Sequence, residues 1–174
     1  RGYVCPDVPV HRQHLLTRVR SLEPDKVSTV FLGIATEQVA STGAEKPHDT
    51  VRVIYAGTLG QNYDIGTVLD CARLMLPDKR VTFAIAGDGP LRDMVIDRIR
   101  NENLTNTSYA GRLPAEDLRA LYASSAVGLI PYVRWSTVAM PVKLYDYRAA
   151  GPPCIPSLVG DLRDLSRRCC AGPC

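Results

Sequence analysis

The chain has 174 residues, 45% of them apolar and 22% charged, with a formal net charge of +3. That balance fits one or at most two globular domains, excludes a disordered chain, and is too weakly basic to argue for nucleic acid as a partner. No apolar run approaches the roughly 18 residues of a membrane span, and the opening "RGYVCPDVPVHRQHL" holds no apolar core of a signal peptide.

In chain order, "HRQHLLTRVRSL" reads as a basic amphipathic helix with a solvated face, and "KVSTVFLGI" (Lys26–Ile34) as a short strand rich in β-branched residues. "ATEQVASTGAEKPHD" is a polar connector. A regular alternation follows. "VRVIYAG" (Val51–Gly57) is a nearly continuous apolar strand, as expected where both sheet faces are covered. "IGTVLDCARLML" places Val68, Leu69, Ala72 and Leu76 at helical spacing, and Pro77 stops it. "VTFAIAG" is the next strand. "PLRDMVIDRIRNEN" is a helix starting at Pro90, with Asp88 as a candidate cap and Leu91, Met94, Val95 and Ile99 on one face. "TSYAG" is a strand, and "PAEDLRALYASSA" a helix with Glu116 and Asp117 in its dipole-favoured first turn. "VGLIPY" is a strand, "VKLYDYRAAG" a helix stopped at Gly151, and "PCIPS" a last short strand.

Strand and helix alternating in this way imply an α/β fold: a Rossmann-like parallel sheet with helices on both faces. Ligands of such sheets bind beyond the carboxyl ends of the strands, which selects the loops 57–64, 87–90, 111–114 and 132–141. Gly57 and Gly60 in "AGTLGQNYD" permit close backbone approach to a phosphate, or simply make a tight turn. "AGDGPLRD" fails as a dinucleotide fingerprint because its sixth position is Arg92, so a nicotinamide dehydrogenase is disfavoured. Arg112 in "AGRLPAED" either pairs with an anion or lies in solvent.

The strongest stretch is "PVKLYDYRAAGPP". Pro141 pre-sets a helix start whose first-turn amides lack partners, and an anion there gains from both donors and dipole. Lys143 in that turn is repelled by the dipole unless an anion is present. Asp146, one turn on, has a carboxylate suited to two ribose hydroxyls. The competing reading is a surface Lys–Asp pair at i,i+3.

The six cysteines include three in the tail "CCAGPC", and His11, His14 and His48 lie far from it. The expectation is therefore no metal site, no cofactor and reduced thiols. The expected location is cytoplasmic, with peripheral attachment at the inner face of the membrane left open.

Taken together, "VIYAGTLG" with "VLDCARLM", "FAIAGDGP", "YAGRLPAEDLRALYASSAVGLIPY" and "KLYDYRAAGPPCI" resemble the C-terminal, donor-binding domain of family 4 retaining glycosyltransferases of the bacterial surface-polysaccharide type. The resemblance implies the C-terminal half of a GT-B fold and transfer of a sugar from a nucleoside diphosphate sugar, most often a UDP-sugar, to an acceptor glycan or lipid-linked sugar. It implies that residues 1–50 are the end of an N-terminal domain and a connector, that 51–168 are the nucleotide-sugar-binding domain, and that 169–174 are an unassigned tail. On that reading the N-terminal domain is missing and the chain is a donor-domain fragment, inactive alone.

By the same resemblance Gly57, Thr58, Leu59 and Gly60 line the diphosphate, and the backbone around Leu113 meets the base, with Arg112 beside it among the substrate-binding residues. Pro141, Val142 and Leu144 supply the helix start, Asp146 takes the ribose, and Lys143 is the catalytic cation. Two departures from the family pattern stand out. Val138 occupies the place of the family's first glutamate, and Thr58 and Tyr63 occupy the places of its basic pair. A non-catalytic nucleotide-sugar-binding module, a nucleotide-sugar epimerase of GT-B fold, and a scaffold half of a two-chain transferase remain open alternatives.

Overall fold

The computed structural model describes residues 9–30, 49–136 and 142–157. Residues 9–30 belong to one compact unit; residues 49–136 and 143–157 belong to another. In the first, helix α1 (Pro9–Arg18) precedes a 3-10 turn, Pro24–Lys26. Arg12 ties the two, donating to the carbonyls of Val27 and Pro24 at 3.0 Å each. Lys26 of the expected strand Lys26–Ile34 is thus in a 3-10 turn. Pro24 fixes φ at the turn's first position and local i,i+3 bonding holds the turn, while Val27 after it is extended and forms a β-bridge. Residues 31–34 lie outside the described residues.

The second unit is a sheet of five parallel strands: β1 (Val51–Ala56), β2 (Val81–Ala86), β3 (Thr107–Gly111), β4 (Val127–Ile130) and β5 (Cys154–Pro156). Their order is β3-β2-β1-β4-β5, so the direction of winding reverses between β1 and β4. Helices α2 (Ile65–Leu74), α3 (Arg92–Asn101), α4 (Ala115–Ala123) and α5 (Val142–Ala150) make the crossovers. The parallel sheet expected from the alternation is present.

Strand alternation divides the core into two layers. On one face Tyr55, Phe83 and Ile85 pack with Ile65, Val68, Leu69 and Ala72 of α2 and Val95 of α3. Leu76, Leu91, Met94 and Ile99 pack at its margin. On the other face α5 lies close to β4. Gly128 has no side chain, and a methyl group there would sit 2.7 Å from the Tyr147 ring. The Tyr147 hydroxyl reaches between strands, donating to the Leu129 carbonyl at 3.1 Å and lying 3.4 Å from Ile54 O and Ala56 N. Tyr122 of α4 meets the Tyr147 ring edge-on at 5.2 Å.

The helix ends bear out the sequence signals unevenly. Gly151 closes α5 with φ +94°, as its position predicts. Helix α3 begins at Arg92 rather than Pro90 and has no side-chain cap. Asp88 instead turns back on its own loop and accepts from Gly89 N at 2.8 Å. Asp64, not singled out from the sequence, caps α2 by accepting from Thr67 N at 3.1 Å.

Candidate functional site

Strands β1, β2 and β3 each finish in Ala-Gly, at residues 56–57, 86–87 and 110–111. Those three ends are stitched side by side by backbone bonds: Gly57 N to Ala86 O at 2.9 Å, Leu59 N to Asp88 O at 2.9 Å, and Gly87 N to Gly111 O at 2.7 Å. Gly57 and Gly87 have φ of +143° and +131°, a region that side chains disfavour. A methyl group on Gly87 would overlap the Gly57 carbonyl, and one on Gly89 would stand 2.5 Å from the Leu59 carbonyl. The strand ends therefore form a backbone shelf with no side chains between its layers.

Above that shelf opens a cleft of about 440 Å³, lined by Ala56, Gly57, Thr58, Ala86, Gly87, Asp88, Arg112, Leu113 and Leu118. It brings together Gly57, Thr58, Arg112 and Leu113 of the residues picked out from sequence. Leu59 stands apart: it is fully buried in the core, so only its backbone faces the loop. Of the four amides from Gly57 to Gly60, two are already spent on the neighbouring strand end. The amides of Thr58 and Gly60 have no acceptor among the described residues.

Lys143 is not the surface residue of a Lys–Asp pair. It is only 8% exposed, and no carboxylate lies within 4 Å of its ammonium among the described residues. Its Nζ sits over the Tyr63 ring at 4.1 Å and near the Tyr55 ring at 5.4 Å. It also packs against Gly57, where a methyl group would overlap Nζ and Cε. Burial raises the Tyr63 phenol, but the neighbouring Tyr132 hydroxyl and the Lys143 ammonium outweigh it and hold the group below its ordinary value. Tyr55, more deeply buried, is pushed well above.

Asp146 lies elsewhere on α5. It lines a separate cavity of about 170 Å³ with Ala115, Arg119, Tyr122, Ala149 and Ala150, and Leu118 is common to both cavities. Burial raises the Asp146 carboxyl above the usual range, with Lys143 opposing the shift. Leu144 is buried and Val142 is exposed. Pro141 and Val138 lie outside the described residues.

Sequence reading passed over Tyr63 and Tyr132 as partners, and Leu118 as a wall. The repeated Ala-Gly at three strand ends is the signal that marks the shelf. Nothing local marks the tyrosine pair, because its members are 69 residues apart.

No curated protein matches the chain. Solved structures do match, at identities that speak for the fold alone. The pneumococcal O-GlcNAc transferase GtfA, in complex with UDP and GlcNAc, matches with a TM-score of 0.70 at 17% identity, over 92% of this chain and 31% of that one. HepE of Anabaena, in complex with UDP-glucose, matches with a TM-score of 0.70 at 14% identity, over 94% and 47%. Sucrose-phosphate synthase of Thermosynechococcus elongatus matches with a TM-score of 0.73 at 18% identity, over 92% and 42%. The chain thus spans less than half the length of these structures. Their GT-B donor-domain architecture is the one its sheet adopts. The family model for glycosyl transferases group 1 covers residues 50–170, most of the chain, and the chain belongs to that family.

Proposed function

We propose that the sheet unit is the donor half of a retaining, family 4 type glycosyltransferase, which moves a sugar from a nucleoside diphosphate sugar to an acceptor hydroxyl. The observation that carries this is the cleft at the ends of β1, β2 and β3, with a buried Lys143, without a carboxylate partner among the described residues, packed against its Gly57 wall. UDP-sugars are the preferred donors on this reading, supported by the UDP and UDP-glucose found in GtfA and HepE. The acceptor is a glycan or lipid-linked sugar, bound by an N-terminal domain; residues 1–50 are the end of that domain and the connector, and 51–168 the donor domain.

In the reaction the bond between the anomeric carbon and the diphosphate breaks. The acceptor oxygen bonds to the same face of that carbon, and its proton leaves to the diphosphate. Negative charge grows on the diphosphate as the sugar becomes cation-like, so fixed donors aimed there lower the barrier. Lys143 and the unengaged amides of Thr58 and Gly60 are the groups assigned that task, together with the first turn of α5; Pro141, also assigned to it from the sequence, lies outside the described residues. Arg112 and Leu113 face the base, and Asp146 the ribose, reached past Leu118.

Val138 in place of the family's first glutamate favours a second reading, a nucleotide-sugar-binding module without turnover. Calorimetry with UDP, GDP and UDP-glucose tests the shared claim, and saturable binding of one nucleotide series is expected. Lys143→Met is expected to weaken UDP binding roughly tenfold or more, the scale of one lost charged hydrogen bond. Donor hydrolysis by the full-length product then separates the two readings. Absence of nucleotide binding would remove both.

A further inference from the structure

Lys143 raises a question the transfer reaction does not answer by itself: what keeps an ammonium in place where burial disfavours its charge. Among the described residues no carboxylate lies within 4 Å of it. What surrounds Nζ is aromatic, with the Tyr63 face at 4.1 Å and the Tyr55 ring at 5.4 Å. Ring faces replace part of the lost hydration of a cation. Gly57 is a further neighbour among the described residues: it has no side chain to displace the ammonium, and it also lines the cleft.

Tyr63 is itself fixed from two sides of the sheet's switch point. Its ring stacks on Tyr132 at 4.8 Å with 29° between the planes, and the two hydroxyls lie 3.5 Å apart. The loops that carry them are bridged antiparallel, with Asp64 N donating to Pro131 O at 2.6 Å and Val133 N to Asn62 O at 3.1 Å. Ser157 Oγ accepts from Tyr132 N at 2.7 Å, anchoring that loop to the end of β5. The tyrosine stack is therefore a rigid wall built from the loops after β1 and β4, and Lys143 leans on it.

We propose that Tyr63 is a positioning residue: its ring face, braced by Tyr132, holds the Lys143 ammonium against Gly57, at the wall of the cleft assigned to the diphosphate of a bound nucleotide, so that its charge acts there. The inference rests on the donor-site reading above. It assigns Tyr63 the work of aiming a cation supplied from α5.

The test is a double-mutant cycle on the full chain, with UDP and UMP as calorimetric probes. Tyr63→Leu is expected to weaken UDP binding by roughly tenfold, the scale of a desolvated cation–ring contact, and to leave UMP binding nearly unchanged. Tyr63→Phe, which keeps the ring, is expected to retain UDP affinity. In a Lys143→Met background Tyr63→Leu is expected to have no further effect, because it acts only through the lysine. The inference is overturned, with the donor site intact, if Tyr63→Leu weakens UDP and UMP equally, if its effect persists without Lys143, or if Tyr63→Phe is as damaging. A wild-type chain that binds neither nucleotide overturns the donor-site reading and this inference with it. Should Tyr63→Leu not fold, the ring-current shift of the Lys143 side-chain NMR signals in the wild type decides: upfield-shifted signals support the contact, and random-coil values overturn it.

Discussion

At the scale of single residues, Lys143 and Asp146 of α5 sit in different surroundings. Lys143 is held between aromatic rings and a glycine, and Asp146 lines a cavity on the α4 side of the same helix. Burial is the main reason the Asp146 carboxyl sits above its usual range, and Lys143 only partly offsets it. A folded-state value above the unfolded one means that the folded chain holds the proton more tightly. Stability from this group is present at acid pH and is lost as pH rises through the folded value, so at neutral pH the charge is a net cost. Asp146→Asn is therefore expected to raise the melting temperature at neutral pH, with the gain shrinking toward acid pH, while weakening nucleoside binding. Melting curves across pH and calorimetry with uridine check the two halves: a lowered melting temperature at neutral pH would contradict the first, and undiminished uridine affinity the second. Lys143 was legible in the sequence because a cation in a first helical turn opposes the dipole. Its burial was not, because the rings that cover it come from positions 55 and 63, far along the chain.

At the scale of elements, the sheet was readable because each apolar run is short, β-branched and followed by glycine or proline punctuation. The helices were readable from the 3.6-residue recurrence of Val68, Leu69 and Ala72, all of which are buried. Boundaries were less legible. The start of α3 moved to Arg92 because Leu91 N donates to the Leu59 carbonyl at 2.9 Å, a bond across two loops that no local propensity encodes. The packing of α5 on β4 is likewise non-local and turns on Gly128. Adding a methyl group there drives into the Tyr147 ring. Gly128→Ala is expected to destabilise the fold by about 1–3 kcal/mol, the usual cost of overpacking a tight site. Urea denaturation should show a lower midpoint at unchanged slope. No change in midpoint would mean that α5 can lift from the sheet freely. On the outer face, Arg98 joins α2 to α3, bonding Asp70 at 2.8 Å and the Gly66 carbonyl at 3.2 Å while pairing with Glu102. These groups are exposed or only partly covered, so the network contributes little to stability and weakens with salt.

At the scale of the whole molecule, the sheet unit carries the cleft, and its lining comes from the residues after β1, β2 and β3 and from α4. A ligand that binds only the folded form stabilises it by mass action. UDP at a hundredfold excess over its dissociation constant is expected to add about 2.7 kcal/mol to the stability of the sheet unit. A thermal shift that grows with the logarithm of UDP concentration would report this, and a melting temperature insensitive to UDP would argue against nucleotide binding at the cleft. No described helix is long and apolar enough to cross a membrane. The backbone shelf has one more consequence. Where Gly87 backs onto the Gly57 carbonyl and Gly89 onto that of Leu59, there is no room for a larger residue. On the proposed nucleotide site, divergence in which nucleobase is accepted would thereby be channelled away from two of the three strand ends, leaving the Arg112–Leu113 corner as the place where natural variation or a mutational library would retune selectivity without collapsing the scaffold beneath it.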